Sequence, residues 1–311
     1  MKKKTIYILL ILLLIASTGF AQQEAMFTHY MYNTLAINPA YAGSRDALTI
    51  TALHRSQWVS FPGAPVTQTI TVHSPCYRDG VNLGLSVLND KIGPVNNTSF
   101  FLDYAYRVKL SKRSKLAFGL KLGLNTYAID LNGLKSTDNT DVSAQTADNS
   151  ILPNVGFGIY YSKPSFYAGI STPKLFQNGY SYDNISTKLS TEQRHYYLIS
   201  GGLIRLHPDW ELKPTSFIKI TKAATIEADV TAEVLYLERF SLGVMGRSGD
   251  AIGLLARVGI TDQLTVGYSF DWSFVNNTAK YNYGSHEIIL RYDFVSLSGR
   301  RIRSPRYFST F

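Results

Sequence analysis

From about residue 46 to residue 294 the chain repeatedly sets an apolar row on one side of short alternating segments and polar or charged residues on the other. In 226–234 the even positions read Ile226, Ala228, Val230, Ala232 and Val234, and between them fall Glu227, Asp229, Thr231 and Glu233. A period of two is the signature of a strand with unlike faces. The rhythm predicts fourteen strands, at about 46–54, 65–73, 81–88, 98–108, 115–124, 154–161, 164–170, 195–205, 212–220, 226–234, 240–247, 252–259, 262–271 and 285–294. Gln68 interrupts the apolar row of Val66, Ile70 and Val72, so the second strand is less regular than the rest.

The opposing face is mostly small or polar. Leu116, Phe118, Leu120, Leu122 and Leu124 alternate with Ala117, Gly119, Lys121, Gly123 and Asn125. Facing lipid at the bilayer midplane, Lys121 or Arg257 would cost on the order of 2–4 kcal/mol each, so the charged row points inward if these strands cross a membrane. On that alternation Asp103, Arg107, Lys121, Arg205, Lys219, Glu227, Asp229, Glu233, Arg257, Glu287, Arg291 and Asp293 face a lumen. Mixed charge fits ion pairs closing a narrow barrel, and it fits an interior wetted by a channel.

The N-terminus decides which environment the apolar rows meet. Lys2, Lys3 and Lys4, the apolar run Ile6–Ala16 and the small residues Gly19 and Ala21 form a secretory leader over residues 1–21. No later run has the roughly 20 apolar residues of a transmembrane helix. An exported membrane protein without such helices pairs its backbone in a closed barrel. The fold expected is all-β, a transmembrane outer-membrane antiparallel β-barrel of about 14 strands, with 21 Tyr, 16 Phe and 3 Trp available for interfacial girdles. A soluble exported β-protein is the competing class.

The expected organisation is a leader at 1–21, an N-terminal periplasmic or plug segment at 22–45, a barrel at 46–294 and a basic periplasmic tail at 295–311. Gaps 74–80, 109–114, 162–163, 206–211, 235–239 and 260–261 are short. The longest, 125–153, 171–194 and 272–284, all fall on the other parity, where 55–64 and 89–97 are intermediate and 221–225 and 248–251 are short. Short periplasmic turns and longer outer loops place both termini in the periplasm. The segment 22–45 carries Phe27, Tyr30, Tyr32 and Tyr41, which need apolar cover, supplied by the lumen or by a partner subunit.

Formal charge is +9; without the three leader lysines, 28 basic and 22 acidic residues leave +6, too diffuse to point to nucleic acid. Cys76 is the only cysteine, which excludes an intrachain disulfide and a multi-cysteine metal site. Histidines at 29, 54, 73, 195, 207 and 286 form no HExxH and no ligand pair, and no GxSxG elbow occurs. No enzyme activity and no cofactor are expected. Asp130, Asp138, Asp141 and Asp148 offer carboxylates to calcium but lack the EF-hand spacing, and a solvated loop is the plainer reading. The tail residues Arg300, Arg301, Arg303 and Arg306 suit solvent, an acidic partner or anionic lipid.

Three blocks carry a family resemblance. They are Tyr32–Gly43, with Asn38-Pro39-Ala40-Tyr41-Ala42-Gly43; Arg55-Ser56-Gln57-Trp58 with Gly63-Ala64-Pro65; and Ser285-His286-Glu287. Together they resemble the PorP/SprF family of type IX secretion membrane proteins of Bacteroidetes. Ser60 departs from the glycine common after the tryptophan. The resemblance implies an outer-membrane component that helps secrete or hold surface adhesins, including gliding adhesins, and works with periplasmic proteins of the secretion apparatus. It implies partner-binding or structural roles for Asn38, Pro39, Tyr41, Gly43, Arg55, Gln57, Trp58, Gly63, Pro65, His286 and Glu287. The first four would fix a turn near the periplasmic rim, and Arg55 to Pro65 an outer hairpin suited to touching an exported domain. The expected partners are type IX components, the C-terminal domain of a large adhesin and outer-membrane lipid. The alternative is a porin-like channel for small solutes.

Overall fold

The computed structural model describes residues 24–76, 80–129, 150–181, 188–222, 224–274 and 283–294. The wall is built from β1 (Leu48–Ser56), β2 (Val66–Pro75), β3 (Val81–Ile92), β4 (Val95–Lys109), β5 (Lys115–Ile129), β6 (Ser150–Lys163) and β7 (Phe166–Thr172). A small separate hairpin, β8 (Gly179–Ser181) and β9 (Lys188–Thr191), follows. The wall resumes with β10 (His195–Gly202), β11 (Ile204–His207), β12 (Trp210–Thr221), β13 (Glu227–Tyr236), β14 (Phe240–Arg247), β15 (Ala251–Gly259), β16 (Leu264–Ser273) and β17 (Ser285–Phe294).

All neighbouring wall strands run antiparallel. β1 pairs with β17 from Leu48↔Phe294 to Ser56↔His286, and the circle closes where β10 meets both β7 and β12. β10 and β11 both pair with β12 and make one stave broken at Leu203, so the barrel has fourteen staves, as the alternation predicts. Closure leaves no open sheet edge for lipid to meet.

Alternation sorts the two faces. On β4 Phe101, Asp103 and Ala105 are buried while Phe100, Leu102 and Tyr104 are exposed. Leu85, Leu124, Val244 and Leu254 are all more than half exposed, a continuous apolar exterior that lipid covers and water would not tolerate. Gln68 lies on this exterior and lies 3.3 Å from His54 across the β1–β2 pair, which explains the interrupted row.

Both Leu48 and Phe294 lie at the end formed by the short connections, here the turn end. At the opposite, loop end two sequence boundaries change. The gap expected at 89–97 is a two-residue turn, because Asn89, Asp90, Asn96 and Asn97 continue the β3–β4 ladder up to Ile92↔Val95. The connection expected at 125–153 shortens as β5 runs to Ile129 and β6 starts at Ser150. Asp130, Asp138, Asp141 and Asp148 lie outside the described residues, as do the leader and the basic tail.

Candidate functional site: a lumen filled by the N-terminal segment

The core is the lumen itself. Residues 27–45 are almost wholly buried inside the barrel and contain a one-turn helix, α1 (Thr34–Ile37), and a 3₁₀ turn over Pro39–Tyr41. Glu24 reaches the loop end, where it pairs with Lys174 at 3.3 Å and accepts from the Tyr197 hydroxyl; Arg45 lies at the turn end beside Asp293. The segment therefore traverses the barrel. Glu24 and Phe294, the first and last described residues, sit at opposite mouths.

Near the loop end one carboxylate gathers the segment. Glu287 accepts the backbone N–H of Thr28 at 2.9 Å and of His29 at 2.7 Å, and His29 Nδ1 lies 2.7 Å from Glu287 Oε1. Arg55 donates to Thr28 Oγ1 at 2.9 Å and to Glu287 at 3.2 Å, and its Nη1 stands 2.8 Å from Asp271 Oδ2. Thr28 Oγ1 in turn donates to Asp271 at 2.6 Å. Arg55, Asp271 and Glu287 are at most 2% exposed, and buried charges of this kind persist only when paired and hydrogen-bonded.

Further along, Tyr30 stacks on Phe217 at 5.2 Å with its hydroxyl between Thr215 and Thr231, and Tyr32 donates to Glu233 at 2.7 Å. The Tyr32 ring lies under three cations, Lys213 at 4.2 Å, Arg257 at 4.9 Å and Arg291 at 5.6 Å, each attracted to its π face. Lys121 binds Asp103 at 2.8 Å and donates to the Leu35 carbonyl at 3.3 Å, satisfying one of the carbonyls at the C-terminal end of α1.

Asn38 fastens the middle of the segment. Its Oδ1 accepts from Ala40 N at 2.9 Å, and its Nδ2 donates to the Ile159 carbonyl at 3.1 Å. The wall admits this backbone only because it carries glycine there: a Cβ on Gly119 would stand 2.1 Å from Ala40 N, and one on Gly158 would stand 2.0 Å from Asn38 Oδ1. At the turn end Arg45 forks onto Asp293 at 2.8 and 2.9 Å, Gly43 N donates to His73 Nδ1, and Asp46 pairs with Arg107 at 2.7 Å.

Asp103, Lys121, Asp229, Glu233, Arg257 and Arg291 lie buried on the inner wall. Arg247 holds Asp229 at 2.9 Å, and Glu227 pairs with Lys219 at 2.9 Å. Arg107 is half-buried at the turn end. Arg205 keeps the inward phase of its stave, opposite the buried Glu211 at 3.2 Å, but it lies near the turn-end rim with its side chain 63% exposed.

Asn38, Pro39, Tyr41 and Gly43 lie within the lumen, where Tyr41 contacts the His73 and Tyr160 rings edge-on. Gln57, Trp58, Gly63 and Pro65 do form the first loop-end hairpin; Trp58 N donates to Ser285 Oγ and Val59 N to Gly284 O, tying it to the start of β17. Arg55 does not join that surface: its inward register buries it against the segment, so it cannot touch an exported domain from there. His286 points outward, 2.6 Å from the Tyr268 hydroxyl, while its neighbour Glu287 points inward. Thr28 and His29, the residues that meet Glu287, lie outside the sequence blocks and had no local signal.

These contacts fill the lumen with the chain's own N-terminal segment; among the described residues no group of three His, Cys, Asp or Glu side chains could hold a metal ion. Several solved barrels share the general shape at low identity. The Pseudomonas putida toluene transporter TodX is 8% identical, with 83% of this chain and 93% of that one covered and a TM-score of 0.49. A Pseudomonas aeruginosa FadL homologue is 10% identical over 84% and 94%, TM-score 0.48, and the Acinetobacter baumannii outer membrane protein Omp33 is 9% identical over 80% and 98%, TM-score 0.43. No curated protein sequence matches the chain. The family model for the type IX secretion system membrane protein PorP/SprF matches residues 19–292, which takes in all three sequence blocks and every wall strand except the last two residues of β17, and the chain belongs to that family.

Proposed function

We propose that this outer-membrane barrel serves the type IX secretion system by helping to secrete or anchor a surface adhesin, and that it links to periplasmic secretion or motor proteins. The family match over residues 19–292 carries the reading. The filled lumen supports it, since a barrel whose interior is occupied by its own chain is suited to holding partners rather than to free diffusion. On this reading the loop end faces outward, where the Gln57–Pro65 hairpin and the longer loops meet the C-terminal domain of the exported adhesin. The turn end faces the periplasmic components, and the barrel performs no catalysis.

Affinity purification of the tagged protein from native outer membrane is expected to recover periplasmic type IX proteins or one large adhesin. Repeated recovery of the barrel alone would overturn the proposal. In planar bilayers the intact protein is expected to be silent, whereas deletion of residues 24–45 opens a conductance. Steady conductance from the intact protein would favour a diffusion channel instead.

A further inference from the structure

Between the N-terminal segment and the wall, at the loop end, lies a cavity of about 320 Å³. Its floor is apolar, with Met26, Phe27, Leu88, Val95, Phe101 and Phe217 among the lining residues. Charge on its walls is unbalanced. Glu24, Asp90 and Glu192 face one ammonium, Lys174, shared between Glu24 and Glu192 at 3.3 Å each, and one imidazole, His195, 3.8 Å from Glu24. Glu192 further accepts from Asn125, Asn154 and Asn178. Asp90 has no cation of its own within ion-pair distance among the described residues; it accepts from Thr67 Oγ1 at 2.6 Å.

Two lining groups near Asp90 are also unsatisfied. Asn97 stands directly opposite Asp90 in the β3–β4 register, and its Oδ1 has no hydrogen-bond partner within the described protein; nor has Ser99 Oγ two residue pairs further in, opposite Leu88. Buried polar atoms are seldom left unpaired. A cavity of a few hundred cubic ångströms, mostly apolar with a few convergent polar groups, is the usual form of a small-ligand site. Here the convergent groups are an amide oxygen, a hydroxyl able to accept and a carboxylate, which together suit a donor-bearing cation.

We propose that this cavity binds an amphipathic organic cation, with its ammonium between Asp90 and Asn97 and its aliphatic body along Leu88, Val95 and Phe101. The site is independent of the secretion role, which can hold or fail without it. Full-length protein in a non-ionic sugar detergent is titrated calorimetrically with n-octylammonium, n-octanoate and n-octanol. Saturable binding of octylammonium is expected, at least about tenfold tighter than that of the other two. Asp90→Asn, which keeps an acceptor for Thr67, should bring octylammonium to the level of octanol. Leu88→Trp, which fills the apolar floor, should abolish all three. Heat-modifiable migration identifies folded variants, and Val95→Trp replaces Leu88→Trp if the latter does not fold. Absence of saturable binding by the wild-type protein, equal affinity for the three probes, or an undiminished cation preference in Asp90→Asn would each overturn the proposal.

Discussion

Arg55 and Glu287, 232 positions apart in sequence, face each other in register on the paired strands β1 and β17 and stand 3.2 Å apart inside the barrel. Around them Thr28 and His29 are held by the same two side chains, so the first and last wall strands grip the N-terminal segment at one point.

Glu287→Gln removes the charge that Arg55 and two backbone N–H groups share. Breaking a buried pair by altering one partner typically costs about 3–5 kcal/mol, here toward the lower end because Asp271 still faces the Arg55 guanidinium at 2.8 Å. Guanidinium unfolding followed by heat-modifiable migration should show a loss in that range. A double substitution, Arg55→Met with Glu287→Gln, should cost less than the single change. A loss in the double substitution equal to the sum of the two single losses would mean that the two side chains act independently.

Gly119→Val should dislodge the 3₁₀ turn without opening the barrel, since the new side chain occupies the place of Ala40 while the β4–β5 ladder keeps its hydrogen bonds. Limited proteolysis is the measurement: cleavage within residues 24–45 should appear in the variant and be absent in the parent, with the barrel fragment intact in both.

Glu24 is pushed up by burial, but Lys174 and His195 beside it, with the Tyr197 hydroxyl, outweigh that and hold its carboxyl down at about 2, below the ordinary 4.5. A depressed carboxylate adds stability that is fully present above its unfolded value and is lost as pH falls toward its folded one. Anchoring of the segment at the loop end should therefore weaken between pH 4.5 and 2. Amide exchange around Ala25–Phe27 should rise in that window in the parent protein, and Glu24→Gln should show faster exchange already at pH 7 with no step. A step of the same size in Glu24→Gln would assign it to another group.

Leu102 lies midway along β4 on the outer face, in register between Leu85 and Leu122. Leu102→Arg should destabilise the barrel in lipid bilayers by about 2–4 kcal/mol. The same substitution in detergent micelles should cost less, since a micelle lets the guanidinium reach water; identical losses in both would argue against lipid contact at this position.

Much of the barrel was legible because side-chain alternation is a local property. A period of two set the faces of 226–234 and 115–124, and the cost of a charge in lipid decided which face was which, so Asp103, Lys121, Asp229 and Glu233 could be placed inward one strand at a time. It failed where polar residues continue a strand, at Asn89 to Asn97.

Alternation tells the face of a residue but neither its depth nor what stands opposite it across the lumen. Arg55 reads as an exposed hairpin residue until closure of β1 on β17 turns it against Glu287, and His29 reads as isolated until the segment enters the barrel 258 positions away from its partner. From the residue pattern alone came the wall, its fourteen staves, its charged lining and an aromatic segment in need of cover. Only the closed tertiary structure decided what supplies that cover: the curvature that joins β10 to β12 creates a lumen, and glycines at 119 and 158 leave it the room into which the chain's own N-terminal segment fits.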